Sequence, residues 1–431
     1  MSQSSIHRRS FLSRSAGAGL ALAGFPGILS ARNVNNNINV GIVGPGGRGT
    51  GLLKQFLKSG DQYGARMTAV CDLWNYRRDR AASLVEEKEG RAPKTYRHHE
   101  EILADKEIDA LIIATPDHAH AQILKLAADA GMDAYCEKPM SNVLSEANEA
   151  LDAVRKAGVI VQIGTQRRAN SRYRKATRMI ADGLIGDVVK VDLHWSFYSP
   201  YRWARKKKDL LMAKEADLDW STWLMGRPQR PFDPRIFRSF RLFKDFSSGI
   251  IDQWMSHGID LAHMLTGVSY PVSAVSHGGI YKWKDYRENP DTQEVTLEYQ
   301  KGDGKFLAVY STNWINGYGN GTRVHGTLGS FEGESFSNPD SDWLFSGQGV
   351  NSDGKIRDRM VVPRESVDMD EMGMAHMNNW LDAVRSRDSK GLYCPVEAGY
   401  GHSIACIMAT DAYWSGKRMV FDPKTRVIHA G

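Results

Sequence analysis

Cysteine is scarce in this chain: Cys71, Cys136, Cys394 and Cys406 are the only four in 431 residues. No two stand at a metal-type spacing, and so few in so long a chain exclude the dense disulfide framework of a small secreted domain. Two fall in or beside predicted core strands, so buried free thiols are expected. No spaced cluster of metal ligands, internal repeat or long low-complexity segment is present. A basic stripe is missing too. The net charge of +6 comes from 56 basic residues scattered among 50 acidic ones, and the one short run, Arg205-Lys206-Lys207-Lys208, reads as a solvated loop. Without a stripe or a recognised motif, nucleic-acid binding is excluded. No apolar run after the first thirty residues is long enough to cross a bilayer.

What is present is a globular balance, 42% hydrophobic and 25% charged, over a length that implies two domains. The first thirty residues stand apart. His7-Arg8-Arg9-Ser10-Phe11-Leu12 precedes an apolar, Gly- and Ala-rich stretch from Ala16 to Leu29. A charged n-region before a mild apolar region reads as an export signal, and the paired arginines point to the twin-arginine route. Residues 1–33 are therefore expected to be signal and linker. Processing near Ala31 would leave no membrane span and place the mature protein in the periplasm or otherwise outside the cytoplasm; the alternative is a retained anchor.

The residues that follow carry a dinucleotide fingerprint. Ile38–Val43 is a β-branched run, succeeded by Gly44-Pro45-Gly46-Gly47-Arg48-Gly49 and a helical pattern through Leu52, Leu53, Phe56 and Leu57. In such a loop the first glycine permits the tight turn and the second lets backbone approach a pyrophosphate. The third, Gly49, lets helix pack on strand, and the helix N-terminus offers its amides to the phosphates. The next strand, Arg66–Cys71, ends at Asp72, placed to accept hydrogen bonds from the adenosine ribose hydroxyls. That carboxylate favours NAD over NADP, although the nearby Arg77 and Arg78 leave NADP open. Further strands at Ile108–Ala114, Asp133–Cys136 and Val159–Gly164 alternate with helices, predicting a doubly wound parallel sheet over 38–165.

Thr115-Pro116-Asp117-His118-Ala119-His120, then Glu137-Lys138-Pro139, Gln166-Arg167-Arg168 and the segment Gly249 to Gly267 form an ordered set. With the glycine loop and Asp72, this set resembles the glucose–fructose oxidoreductase, inositol dehydrogenase and MocA (Gfo/Idh/MocA) family over nearly the whole chain. The resemblance implies a second α+β domain over 166–431, built on an open, mostly antiparallel sheet. Val188–Phe197, Thr292–Tyr299 and Phe306–Trp314 agree with it as strands; Val272–Gly279 and Arg323–Gly326 are fainter. It also implies a homo-oligomer, dimer or tetramer, covering the free face of that sheet.

The chemistry implied is NAD(P)-dependent oxidation of a CH–OH group on a sugar or polyol-like substrate, with Lys138 as acid/base and His257 as its catalytic partner. A lysine needs an environment that lowers its pKa to act near neutrality. Pro139 is a candidate cis proline. Cofactor contacts are expected from Gly44, Gly46, Gly47, Arg48, Gly49, Asp72, Thr115, Pro116, His118, His120, Glu137, Lys138 and Gln166. Substrate contacts are expected from Lys138, Arg167, Gln253, His257 and Asp260, with Tyr173 and Trp195 as weaker candidates.

Relatives commonly place an aspartate four residues before the histidine; here Gln253 holds that position and Asp252 precedes it. On a continuous helix four residues span about 40° and five about 140°, so Gln253 should share the His257 face and Asp252 should not. Export away from free NAD implies a tightly held dinucleotide recycled in place. Two other activities compete with the dehydrogenase: glycoside cleavage through transient oxidation and elimination, for which Lys138 is not typical, and a non-catalytic sugar or cofactor sensor.

Overall fold

The structure, a computed structural model, describes residues 37–335, 343–347, 359–362 and 369–431. The expected signal and linker over 1–33 lie outside the described residues. Strands β1 (Ile38–Val43), β2 (Ala65–Cys71), β3 (Lys94–Tyr96), β4 (Ala110–Ile113), β5 (Asp133–Cys136) and β6 (Val161–Ile163) form one parallel sheet in the order β3-β2-β1-β4-β5-β6. The period-2 alternation of strand side chains sorts its core into two faces. Ala110 and Ile112 join Leu52, Leu53 and Phe56 of the Gly47–Ser59 helix on one face. Leu111 and Ile113 join Ile123 and Leu124 of the His120–Asp129 helix and Leu151 of the Leu144–Ala157 helix on the other. Strand order reverses between β1 and β4, which opens a crevice at their carboxyl ends.

Ten strands make the second sheet: β7 (Val188–Ser196), β8 (Ser273–Gly279), β9 (Thr292–Lys301), β10 (Gly304–Asn313), β11 (Gly319–Gly326), β12 (Gly329–Ser335), β13 (Trp343–Gly347), β14 (Arg359–Val362), β15 (Met419–Asp422) and β16 (Val427–Ala430). Their order is β14-β13-β12-β11-β7-β10-β9-β8-β15-β16, and every pairing is antiparallel except β7 with β10. One face buries Val191, Leu193, Val295, Leu297 and Tyr310 against the helices Ser256–Thr266 and Val396–Ser415. The other leaves Val189, Val275 and Leu307 exposed.

Residues 38–431 form one compact unit. The C-terminal part does not stay with the second sheet: Met377, Trp380 and Leu381 of the Met369–Ser386 helix pack into the core beneath Val40, Ile42 and Tyr135. A boundary at 165 therefore divides two sheets, not two cores. Between β7 and the Ser256–Thr266 helix, residues 197–246 form short helical turns rich in aromatic rings. Trp220, Trp223, Phe237 and Phe246 cluster around Trp74 from the loop after β2, and a two-residue bridge joins Trp74 to Leu218. Among the described residues no helix is long and apolar enough to cross a membrane.

Candidate functional site

A cavity of about 360 Å3 opens at the carboxyl ends of β1, β2, β4 and β5. Gly44 begins its floor with φ +79°, and a Cβ there would lie 2.8 Å from the Thr115 backbone, so this turn admits only glycine. A Cβ on Gly49 would stand 2.4 Å from the Gly44 carbonyl oxygen; this glycine sets the helix–strand approach and is not itself on the cavity wall. Above Gly47, where the Gly47–Ser59 helix starts, a Cβ would meet nothing within 4 Å. A helix N-terminus with free amides facing an open cradle fits a pyrophosphate.

Asp72 lies at the carboxyl end of the β2 edge of the cavity, 8% exposed, and its Oδ1 accepts from the Trp74 amide at 2.9 Å. Burial pushes its carboxyl up, and the Arg77 guanidinium opposes the shift. Arg77 sits 5.1 Å over the Trp74 ring and 5.6 Å over Phe237, beside Gly46. This end of the cavity thus carries a carboxylate able to accept from hydroxyl groups and a cation next to it.

At the other end, Thr115, Pro116 and Asp117 leave β4 and Glu137-Lys138-Pro139 leaves β5. His120 ties the two loops together, its ring nitrogens 2.8 Å from the carbonyl oxygens of Pro139 and Thr115. The Lys138–Pro139 bond is cis. Glu137 accepts from Arg48 Nε at 2.6 Å and from the Lys138 amide at 3.2 Å, which joins the glycine loop to the β5 loop. Lys138 reaches across the cavity and donates from Nζ to the carbonyl oxygens of Gln253 (2.8 Å) and Asp252 (3.2 Å). Burial lowers its pKa from 10.5 to about 8, with the Asp117 and Glu137 charges holding it from falling further.

Those two carbonyls belong to a π-type turn over Ile251–Met255, in which the Ser256 amide reaches back to Ile251, one residue further than in an α-helix. Such insertions recur at functional sites. Gln253 and His257 both line the cavity and Asp252 does not. The Gln253 Nε2 donates to Asp117 Oδ2 at 2.6 Å, and Ser247 Oγ donates to the same oxygen at 2.6 Å. Because a carboxylate only accepts, the Gln253 amide is oriented with its oxygen left for a donor. Asp252 is fully buried; its Oδ2 accepts from the Ser248 amide at 2.6 Å and its Oδ1 has no partner. Burial, then the charge of Asp117, pushes its carboxyl up to about 7. Burial holds His257 neutral, its pKa driven well below the ordinary value, and its Nδ1 is buried without a partner.

Gly44, Gly46, Gly47, Arg48, Asp72, Thr115, Pro116, His120, Glu137, Lys138, Gln166, Gln253 and His257 are brought to this one cavity. Five expected contacts besides the Gly49 approach are not. His118 turns inward, bonded through Nε2 to the Trp223 carbonyl at 2.9 Å and packed between Trp223 and Phe246; burial lowers its pKa to about 3. Asp260 is 1% exposed and bound by Arg168 Nε at 2.8 Å, with His402 beside it, so it anchors the second half and leaves no oxygen for substrate. Arg167 lies 4.7 Å over the Trp195 ring and off the wall. Tyr173 is fully buried and also off it, while Trp195 stacks on Trp254 and stands 6.2 Å from the His257 ring.

Sequence reasoning missed several wall residues: Asp117, Trp223, Phe237, Arg238 and Arg241, and it placed Arg205 in solvent. Arg205 is exposed, as are the three lysines after it, yet it stands at the cavity mouth. Asp117 lay inside a motif already singled out; the others come from residues 197–246, which carry no periodic pattern.

Residues 38–165 match the model of an oxidoreductase family with an NAD-binding Rossmann fold, and residues 177–417 match that family's C-terminal α/β domain. An uncharacterised oxidoreductase of Bacillus subtilis, YrbE, is 30% identical over 239 residues, 54% of this chain and 57% of that protein. An inositol 2-dehydrogenase/D-chiro-inositol 3-dehydrogenase of Lactiplantibacillus plantarum is 26% identical over 204 residues, 46% of this chain and 56% of that protein. The chain thus spans a little over half the length of these relatives. Among solved structures, a levoglucosan dehydrogenase in complex with NADH superposes with a TM-score of 0.66 over 89% of this chain and 98% of its own, at 17% identity, a likeness of fold.

Proposed function

The chain belongs to the Gfo/Idh/MocA oxidoreductase family, and from that premise we propose that it is an NAD-dependent dehydrogenase of a sugar or polyol-like alcohol, with Lys138 as the proton-transfer group. The single observation that carries the mechanism is the pair of carbonyls on Lys138 Nζ. A neutral amine has two N–H bonds and one lone pair. With both N–H bonds given to the Asp252 and Gln253 carbonyls, the lone pair is left for the cavity side.

The glycine loop and Asp72 would hold NAD, which would supply the hydride acceptor. Lys138 takes the proton of the substrate hydroxyl at Nζ as the carbon bearing that hydroxyl gives up its hydride, and the ammonium so formed returns the proton to the oxygen in the reverse direction. The Gln253 carbonyl oxygen accepts from a second hydroxyl, which positions the ring, and neutral His257 offers its unpartnered Nδ1 to the same substrate. Asp117 acts through Gln253 by fixing the orientation of its amide.

We infer further that the chain is exported by the twin-arginine route and works on one bound dinucleotide, reduced by one substrate and reoxidised by another. Support comes from Arg8 and Arg9 ahead of an apolar stretch and from Trp223 and Phe237, which bring the 197–246 segment against the adenosine end of the cavity. The direct test is Lys138→Met. The folded variant should bind NAD and fail to reduce it with any substrate that the parent oxidises; near-normal turnover would remove Lys138 from the chemistry.

A further inference from the structure

Arg241 is a cavity-wall cation whose charge acts on Lys138 and which neither the dinucleotide fingerprint nor the proton transfer uses. It lines the same space as Lys138, Gln253 and His257, and its Nε is buried without a partner. Among the described residues no carboxylate lies within ion-pair distance of its guanidinium, nor of Arg205 at the mouth. Aromatic rings hold it from the sides, Phe240 at 4.5 Å and Trp203 at 5.7 Å; Trp203 in turn packs edge-on against Trp314 at 4.4 Å. Rings on two sides narrow the directions open to the guanidinium. The residue is half-buried with its Nε out of reach of water, and Asp117 and Glu137 act on it only from beyond ion-pair distance, an arrangement that a bound anion would relieve. The desolvation is strong enough to lower its pKa even though Asp117 and Glu137 lie in its field.

Location separates this cation from the phosphate cradle. The glycine loop and Arg77 serve the Gly46 end of the cavity, where a pyrophosphate meets the helix N-terminus. Arg241 feels Arg77 and Arg205 as well as Asp117 and Glu137, and unlike Arg77 it has a charge that reaches Lys138.

Resting on the dehydrogenase reading above, we propose that the substrate carries a carboxylate, as a sugar acid does, and that Arg241 binds it while Lys138 works on a hydroxyl of the same molecule. A planar guanidinium matches a carboxylate with two parallel hydrogen bonds and holds the ring in one orientation, which a neutral sugar cannot exploit.

The test uses full-length protein loaded with NAD and two matched pairs of probes, D-glucuronate with D-glucose and D-galacturonate with D-galactose. Calorimetric affinities are read at low and high salt, and nicotinamide reduction is followed by absorbance in parallel. At least one acid should bind about tenfold or more tightly than its neutral partner, the increment expected of a charge-assisted hydrogen-bonded pair. Salt should narrow the gap, Arg241→Gln should close it and Arg241→Lys should keep part of it. Equal affinities within each pair, or no binding by any of the four, would overturn the proposal. So would an Arg241→Gln variant that loses affinity for NAD or NADP while its preference for the acid is intact, since the arginine would then serve a dinucleotide phosphate. An acid that binds through Arg241 without reducing the nicotinamide would uphold the anion site and count against the dehydrogenase reading alone.

Discussion

Lys138 makes a prediction with a worked magnitude. A lysine at its ordinary value of 10.5 is neutral in about 0.03% of molecules at pH 7, and one at about 8 is neutral in about 9%, a gain on the order of 300-fold in usable base. Only the neutral amine accepts the hydroxyl proton. Alcohol oxidation should therefore rise with pH and level off above about 8, whereas carbonyl reduction, which needs the ammonium, should fall over the same window. The assay is kcat/KM for nicotinamide reduction between about pH 6 and 10, with the NAD-loaded protein. Asp252 titrates close by, at about 7, and has to be told apart. Lys138→Met should remove the rising limb and cost on the order of 100- to 10,000-fold in turnover. Asp252→Asn should keep the limb but move it to lower pH, because it deletes a negative charge that stabilises the ammonium. If the limb survives in folded Lys138→Met and vanishes in Asp252→Asn, the base has been assigned to the wrong residue.

Four further outcomes are expected. Asp72→Ala should weaken NAD binding and erase the preference for NAD over NADP, measured by titrating both dinucleotides; tighter NADP binding by the parent protein would show that Arg77 outweighs the carboxylate. Gln253→Ala should raise KM with a smaller effect on kcat, and Asp117→Asn should reproduce part of that effect by releasing the Gln253 amide. Asp260→Asn should lower the melting temperature, at a cost of about 3 kcal/mol, because it leaves the largely buried Arg168 without its counter-charge; a changed substrate KM without loss of stability would return Asp260 to the site. Protein purified without added cofactor should carry NAD(H) through gel filtration, and protein that emerges empty and needs a fresh dinucleotide for each turnover would count against recycling in place.

The parts of this molecule that were legible in sequence are those whose cause is local. Ile38–Val43 reads as a buried strand, and Gly44 must be glycine for a reason contained within one turn and its neighbour Thr115. The strands of the first sheet carry their own apolar runs, so five of its six could be placed to within a few residues; β3, three residues with two exposed side chains, has no such signal. The tail strands β15 and β16 were missed for the same reason, being four residues each with only two side chains fully buried between them.

The site divides along the same line. Glu137 and Lys138 were readable because they follow a strand directly, and that position dictates where they point. The helical-face reading pointed to Gln253 rather than Asp252 as the neighbour of His257, and Gln253 and His257 line the cavity although the turn there is of π type and not α-helical. It failed for Asp260, since the angle between positions on a helix says nothing about an Arg168 arriving from another element to claim the carboxylate. The π-type turn was also beyond it: one extra residue in the turn is invisible in composition, yet the two carbonyls on Lys138 Nζ lie within that turn. Arg241 and Trp223 show the limit most clearly. Their segment has no periodicity, and it comes to the cavity because Trp74, after β2, offers a ring around which Trp220, Trp223 and Phe237 can pack. An aromatic cluster of that kind forms between distant parts of the chain, so the contacts that bring Trp223 and Phe237 to the cavity wall also bring Arg241 there.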